Sequence, residues 1–592
     1  MTAKIYSKKI YLVVLLLTGA TLFAQQRIDP TLEVKRDYDA KLLEITKGKL
    51  FSSFADSLGI FDMSFKYSIF DRPLKDLYEF SPLPSASIES EKRAIQPFIY
   101  LKAGSSFPFN PYGKLFIQPR LPESFSALIY AGHESYHGKL RGTELNGFEI
   151  KQTEHKSYAP SYNNDAGLKF SYKWKSGETG INAAFQNNMN SYYGKFNGAN
   201  TYGRSYMKDS LSQRNNIYSA GFFLKSADAS PNTFIYGLNI AYSALKGEAS
   251  FTALNNPETL ISKESDEKTI EVSALMGAGF GGSNKILAGI TYESSNSFGS
   301  ESLDRSNLEL HPRYIFKSGR WDFEAGLKYN LWWESADRDY NIYFKGIASF
   351  RIFKDNLWIY AGIDGKNNFT NYRKLLEKNP WIHPEVDVKN TEQPVIARGG
   401  FKGKMFERLS FNIYAGYYEY NNQIYFYSVP FAMTGSYMPS YSFNAIYEHE
   451  KRTGFGADLA WKSERLEAGA GFDFYAFRDK NNMTNNHYNY SPLEIRSNVR
   501  YNWRERIIAN ITADYRKKSP ALFIEDLLSS YYNPGRKNAP SYALVNFELT
   551  YVHSKNFSLF FKVNNILDSE VIFMSSYSMP GLNGGLGLSI KF

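Results

Sequence analysis

The chain has 592 residues, no cysteine, 69 basic and 59 acidic side chains, and a formal net charge of +10. So mild a basic surplus, with both signs interspersed, excludes a nucleic-acid-binding role, and the lack of cysteine excludes a disulfide scaffold. The unusual quantity is aromatic: 45 Tyr and 45 Phe.

The first 24 residues read as an export signal. Lys4, Lys8 and Lys9 precede the apolar run Ile10–Leu17, and Gly19–Ala24 offers a small-residue cleavage site after Ala24. The apolar run is too short for a bilayer-spanning anchor. Cleavage would remove three lysines and no acid, taking the charge from +10 to +7. No cysteine follows the site, which excludes a lipid-anchored form.

Residues 25–94 read differently. They hold a short alternating piece (Leu32–Tyr38), a helical turn over Ala40–Leu50 and an irregular, Pro-bearing run from Asp71 to Glu91. This is too little for a domain with its own core. The expectation is a segment in the lumen, in the periplasm or against a partner.

From residue 95 onward, apolar and polar residues alternate. Leu168, Phe170, Tyr172 and Trp174 oppose Lys169, Ser171 and Lys173. Phe323, Ala325, Leu327, Tyr329, Leu331 and Trp333 oppose Glu324, Lys328 and Asn330. The same holds for Leu466–Phe474, Ala543–Tyr551 and Phe557–Val563. Period-two alternation builds strands with one apolar and one polar face. Large aromatics on the apolar face, repeated along the chain, predict lipid outside and water inside, because only a closed barrel lets strands cross a membrane. No later segment has the unbroken apolar length of a transmembrane helix.

Connections alternate in length. Tight turns fall at Lys175–Glu178, Gly281–Asn284, Lys317–Arg320, Ser463–Arg465, Trp503–Glu505 and Ser554–Asn556. Between them lie longer polar stretches such as Asn197–Gln213, Asn371–Glu392 and Lys518–Pro540. Short periplasmic turns and long extracellular loops mark outer-membrane barrels. The predicted fold is all-β, a transmembrane antiparallel barrel over residues 95–592 with about 22 strands (range roughly 20–24), an even total being expected.

Two motifs carry no chemistry on this reading. His133-Glu134-Ser135-Tyr136-His137 matches the zinc-peptidase pattern H-E-x-x-H, but that chemistry needs a helix. On a strand, residues four apart lie roughly 13 Å from each other, beyond a shared metal. Gly277–Gly282 lacks the following helix that a nucleotide loop requires and reads as a strand running into a turn. The other histidines are scattered, and no catalytic, cofactor-binding or metal-ligating residue is assigned. Lys169, Lys173, Lys328, Lys345, Lys562 and Lys591 fall on predicted inward faces with Glu324, Glu467, Asp473, Asp514 and Glu548. Mixed signs predict a hydrated interior, or charges that pair across neighbouring strands.

The C-terminus carries a family likeness. Asn556-Phe-Ser-Leu-Phe-Phe-Lys-Val-Asn-Asn-Ile-Leu-Asp568, then Pro580-Gly581, then Gly587-Leu-Ser-Ile-Lys-Phe592 resembles the last two strands of TonB-dependent receptors. The resemblance implies a 22-stranded outer-membrane barrel that passes or binds a small solute or nutrient. It also implies a C-terminal insertion signal (Leu586, Leu588, Ile590, Phe592) read by the barrel-insertion machinery. Thr31-Leu32-Glu33-Val34 loosely resembles the TonB-contacting box. Residues 25–94 are too few for the family's plug domain, so the chain looks most like plug-less, receptor-like barrels of Bacteroidota-type bacteria. Implied partners are outer-membrane lipid, the insertion machinery, and TonB or a surface lipoprotein; no cofactor is implied. The alternative is a non-transporting barrel subunit of an assembly, export or surface-lipoprotein complex.

Overall fold

The computed structural model describes residues 98–592 apart from residues 147–148, 194–210, 228–233, 253–259, 299–302, 336, 354–355, 407, 429–430, 434–435, 439–441, 480–489, 524–534 and 575–576. The expected signal, the segment 25–94 and Thr31–Val34 lie outside the described residues.

Twenty-two antiparallel strands form the wall. Each pairs with its chain neighbours, and the ring closes where Ile99–Phe107 pairs with Asn583–Lys591, Tyr100 opposite Lys591 and Phe107 opposite Gly584. The predicted strand total is met. Both ends of the wall meet at one rim, where the Phe98 amide donates to the Phe592 carbonyl (2.6 Å). Successive strands join by short turns at that rim. Gly281 and Gly282 make one of these, both at positive φ (57° and 74°), which only glycine adopts freely. The glycine-rich run is therefore a strand entering a turn, as its sequence context predicts. Long connections occupy the opposite rim, so the turn rim is periplasmic and the loop rim extracellular.

Exposure inverts the rule for soluble sheets. On the strand Trp321–Glu334, Leu327 is 44% exposed while its neighbour Lys328 is 7% exposed. Leu168, Phe170, Ile181, Phe185, Leu559 and Phe561 likewise point outward and exposed. An apolar exterior around a polar interior is stable only with hydrocarbon outside, so this is an outer-membrane barrel.

The wall is uneven. The strands Phe234–Thr252 and Leu260–Phe280 are zipped from Phe234–Ala278 to Thr252–Leu260, the latter strand being 21 residues long. Around the seam the strands are short: Ile99–Phe107 has 9 residues, Tyr112–Ile117 has 6 and Phe557–Asn564 has 8.

Candidate functional site: the capped outer mouth

Above the lumen, on the loop rim, the described structure has its largest buried apolar cluster. Its centre is the connection between the strands Leu357–Asn368 and Thr391–Met405. A short helix, Tyr372–Lys378, opens this segment; the Asn371 side chain caps it by accepting from the Lys374 amide (2.8 Å). Tyr372, Leu375 and Leu376 form its buried face. Beyond it, Trp381 is 1% exposed. Its ring stacks on Tyr577 (centroids 3.9 Å, 20° between planes), meets Tyr193 edge-on, and its indole N–H donates to the Ser191 carbonyl (3.0 Å). Ile382 and Phe443, both fully buried, complete the layer, with the His383 amide donating to the Phe443 carbonyl (2.8 Å).

Polar anchors tie the segment to strands around the ring. Glu267 accepts from the amides of Tyr372 and Arg373 (2.7 and 3.2 Å). Lys263 pairs with Glu385 (2.7 Å), and Lys374 with Glu293 (3.0 Å). On the other flank the Tyr447 hydroxyl donates to the Asp387 carbonyl (2.7 Å). Arg305, 4% exposed, holds both ends at once: it donates to the Thr370 carbonyl (2.5 Å) and to Asn390 Oδ1 (2.9 Å), while pairing with Glu334 (3.0 Å). The loop between the last two strands contributes a hairpin, Ile572–Met574 with Tyr577–Ser578, and the Tyr193 hydroxyl donates to the Ser578 carbonyl (2.7 Å). The result is a cap over the mouth. Burial lowers the His383 imidazole below the usual histidine range, with Glu385 opposing and Lys263 reinforcing the shift.

Sequence reasoning missed this core. Asn371–Glu392 reads as a polar loop, yet Leu375, Leu376, Trp381, Ile382, Val386 and Val388 are all buried. The available signal was that density of large apolar residues within a loop.

Below the cap, the inward rows fall where the alternation put them, and they are largely paired. Lys328 meets Asp364 (2.8 Å), Lys345 meets Glu324 (2.8 Å) and Arg496 meets Asp473 (2.6 Å). Lys102 approaches Glu548 (3.6 Å), and Arg500 approaches Glu467 (3.8 Å). His133 and Glu134 lie on the strand Phe125–Tyr136, and His137 follows its end. His133 bonds Asn164 across the sheet (Nδ1 to Oδ1, 2.6 Å), while His137 lies near Tyr158. The two imidazoles are not brought together. Leu586 and Phe592 are exposed on the outer face of the last strand, and Leu588 and Ile590 share that face.

Neither the family models nor the curated protein sequences yield a match. Solved structures do. The FrpB iron transporter from Neisseria meningitidis (F3-3 variant) superposes with a TM-score of 0.62 at 9% identity, over 83% of this chain and 81% of that one. FpvA of P. aeruginosa, bound to a heterologous pyoverdine, gives 0.60 at 12%, over 83% and 71%. The ferric-catecholate import receptor Fiu from K12 E. coli gives 0.60 at 10%, over 84% and 82%. At such identities the likeness is one of fold: the chain has the barrel architecture of TonB-dependent receptors.

Proposed function

We propose that this barrel passes a small solute or nutrient inward across the outer membrane, admitted by displacement of the cap. The observation that supports this is the segment 369–390. It packs against the rim in a core it shares with Tyr193, Phe443 and Tyr577 and is held at both ends by one arginine, while the ring closes without it. The proteins of similar fold are named for iron transport and ferric-catecholate import. That class of role, rather than catalysis, is the one proposed.

On this reading residues 1–24 are removed on export, and residues 25–94 occupy the lumen or its periplasmic side. Thr31–Val34 would contact TonB, and Leu586, Leu588, Ile590 and Phe592 would present the insertion signal to the assembly machinery.

The cysteine-free chain allows a direct test. Cysteines at Lys263 and Glu385, joined by a cleavable thiol linker, lock the cap to the wall. Depletion of solutes from defined medium is then compared between cells carrying the locked chain, the unlocked chain and no chain. The expected result is a solute whose depletion needs the chain, stops on locking and resumes on cleavage. Unchanged depletion, with a stable stoichiometric complex recovered from native membranes, would instead establish the non-transporting subunit.

A further inference from the structure

The lumenal charges sort by height. Of the two inward positions nearest the periplasmic rim on every wall strand, 12 are Lys or Arg and 4 are Asp or Glu. Within these rows Arg500 approaches Glu467, and higher up Lys328 meets Asp364 and Arg496 meets Asp473. On the arc of strands from Asn284–Phe298 to Thr391–Met405 these rows hold five bases and two acids. There Lys285, Lys317, Arg351, Lys402 and Lys404 share the rim with Asp322, and Lys317, Arg351 and Lys402 all act on that single carboxylate. The nearby Glu324 is already engaged by Lys345 and, at 3.8 Å, by Arg313.

Trp358 stands within the arc. It is 5% exposed, and the Arg351 guanidinium lies 4.5 Å over its ring. Its indole N–H has no hydrogen-bond acceptor among the described residues. A buried donor in that state wants an acceptor, and an anionic oxygen is the strongest available. Residues 25–94 carry 11 basic and 12 acidic side chains, so their net charge of −1 does not offset the rim surplus of 12 bases over 4 acids.

We propose that this arc binds a small multivalent anion bearing carboxylate or phosphate groups, at the inner end of the solute's path. The proposal rests on the reading of the barrel as a passage. Twenty-two tilted strands about 4.8 Å apart enclose a ring roughly 40 Å across, several times the ~8 Å over which salt screens charge. The attraction is therefore local, and the anion is held against the wall near Trp358 rather than on the axis. Basic side chains at such a position select for anions.

The test uses the purified full-length protein and two probes, tricarballylate for carboxylate and pyrophosphate for phosphate, titrated calorimetrically. Saturable binding of at least one is expected, weakening as salt rises. K317E/K402E should lower the affinity by about tenfold or more, the scale expected when two charge-assisted hydrogen bonds to the anion are removed. W358F should weaken it several-fold and remove the accompanying change in tryptophan fluorescence. K169E/K173E, the same charge change on the strand Ser161–Trp174 across the lumen, should leave it unaltered, and heat-modifiable migration checks that each variant is a folded barrel. The proposal is overturned if neither probe saturates, or if K169E/K173E and K317E/K402E weaken binding equally, which would mean diffuse attraction. Binding that persists while cap locking leaves uptake unchanged would refute the passage reading alone.

Discussion

Replacing Trp381 by alanine should open the cap without unfolding the barrel. The substitution removes a buried indole, its stack on Tyr577 and its hydrogen bond to Ser191. Truncating a buried tryptophan costs about 3–5 kcal/mol, of which the aromatic pair accounts for ~1 kcal/mol and the hydrogen bond for about another. None of these interactions belongs to the strand ladder, so the cost should fall on the closed cap. At roughly 1.4 kcal/mol per decade, the open population rises by two to three orders of magnitude. Hydrogen exchange of the amides of residues 372–388 reads this directly. The expected result is faster exchange there by about a hundredfold or more, with wall amides and the thermal midpoint of the barrel unchanged. W381F, which keeps the stack and loses the N–H donor, should give only ~1 kcal/mol of that effect. Exchange unchanged in W381A, or a barrel that melts together with the cap, would refute the claim that the cap is a separable unit.

Arg305→Ala should release both ends of the same segment; losing its two charged hydrogen bonds to Thr370 and Asn390 costs about 3 kcal/mol, again visible as faster exchange over 370–390, with R305K recovering only part. The cap should also loosen in acid. The closed state favours neutral His383, whereas an opened cap restores the ordinary value near 6.5, so below about that pH the open state binds more protons and closure weakens as pH falls. Exchange corrected for its intrinsic pH dependence should show this, and H383Q should remove it; loosening on raising the pH would contradict it. Within the wall, Lys328→Met leaves Asp364 buried beside an apolar chain, at a cost of about 3–5 kcal/mol. A lower thermal midpoint is expected, with K328M/D364L restoring most of it.

The wall was legible because a barrel strand needs only period-two alternation, and rows such as Phe323 to Trp333 supply it without reference to the rest of the chain. Sidedness followed from loop length. The cap was not legible, because Trp381 is buried by Tyr193 and Tyr577, each nearly two hundred residues away, and the segment's apolar residues follow no repeat. The lumenal charges were only half legible. Alternation put Lys328 inward, but its partner Asp364 lies two strands away. That pairing depends on register and height along the axis, and so does the sorting of basic residues toward one rim. Neither quantity is written in the order of residues along any one strand.

The unevenness of the wall gives the barrel a direction of mechanical weakness. The seam is zipped only from Tyr100–Lys591 to Phe107–Gly584, and the strand beside it is held more weakly still, Tyr112–Ile117 having six pairs on either side. Opposite them, Leu260–Phe280 is held along nearly its whole length. Each rung contributes similarly, so under heat or a pulling force the ring should part beside the seam first, along Tyr112–Ile117, and leave the tall strands joined as one curved sheet. Assembly follows sequence separation instead: tall hairpins zip early through local contacts, and the joint between the two ends of the wall, separated by almost five hundred residues, closes last.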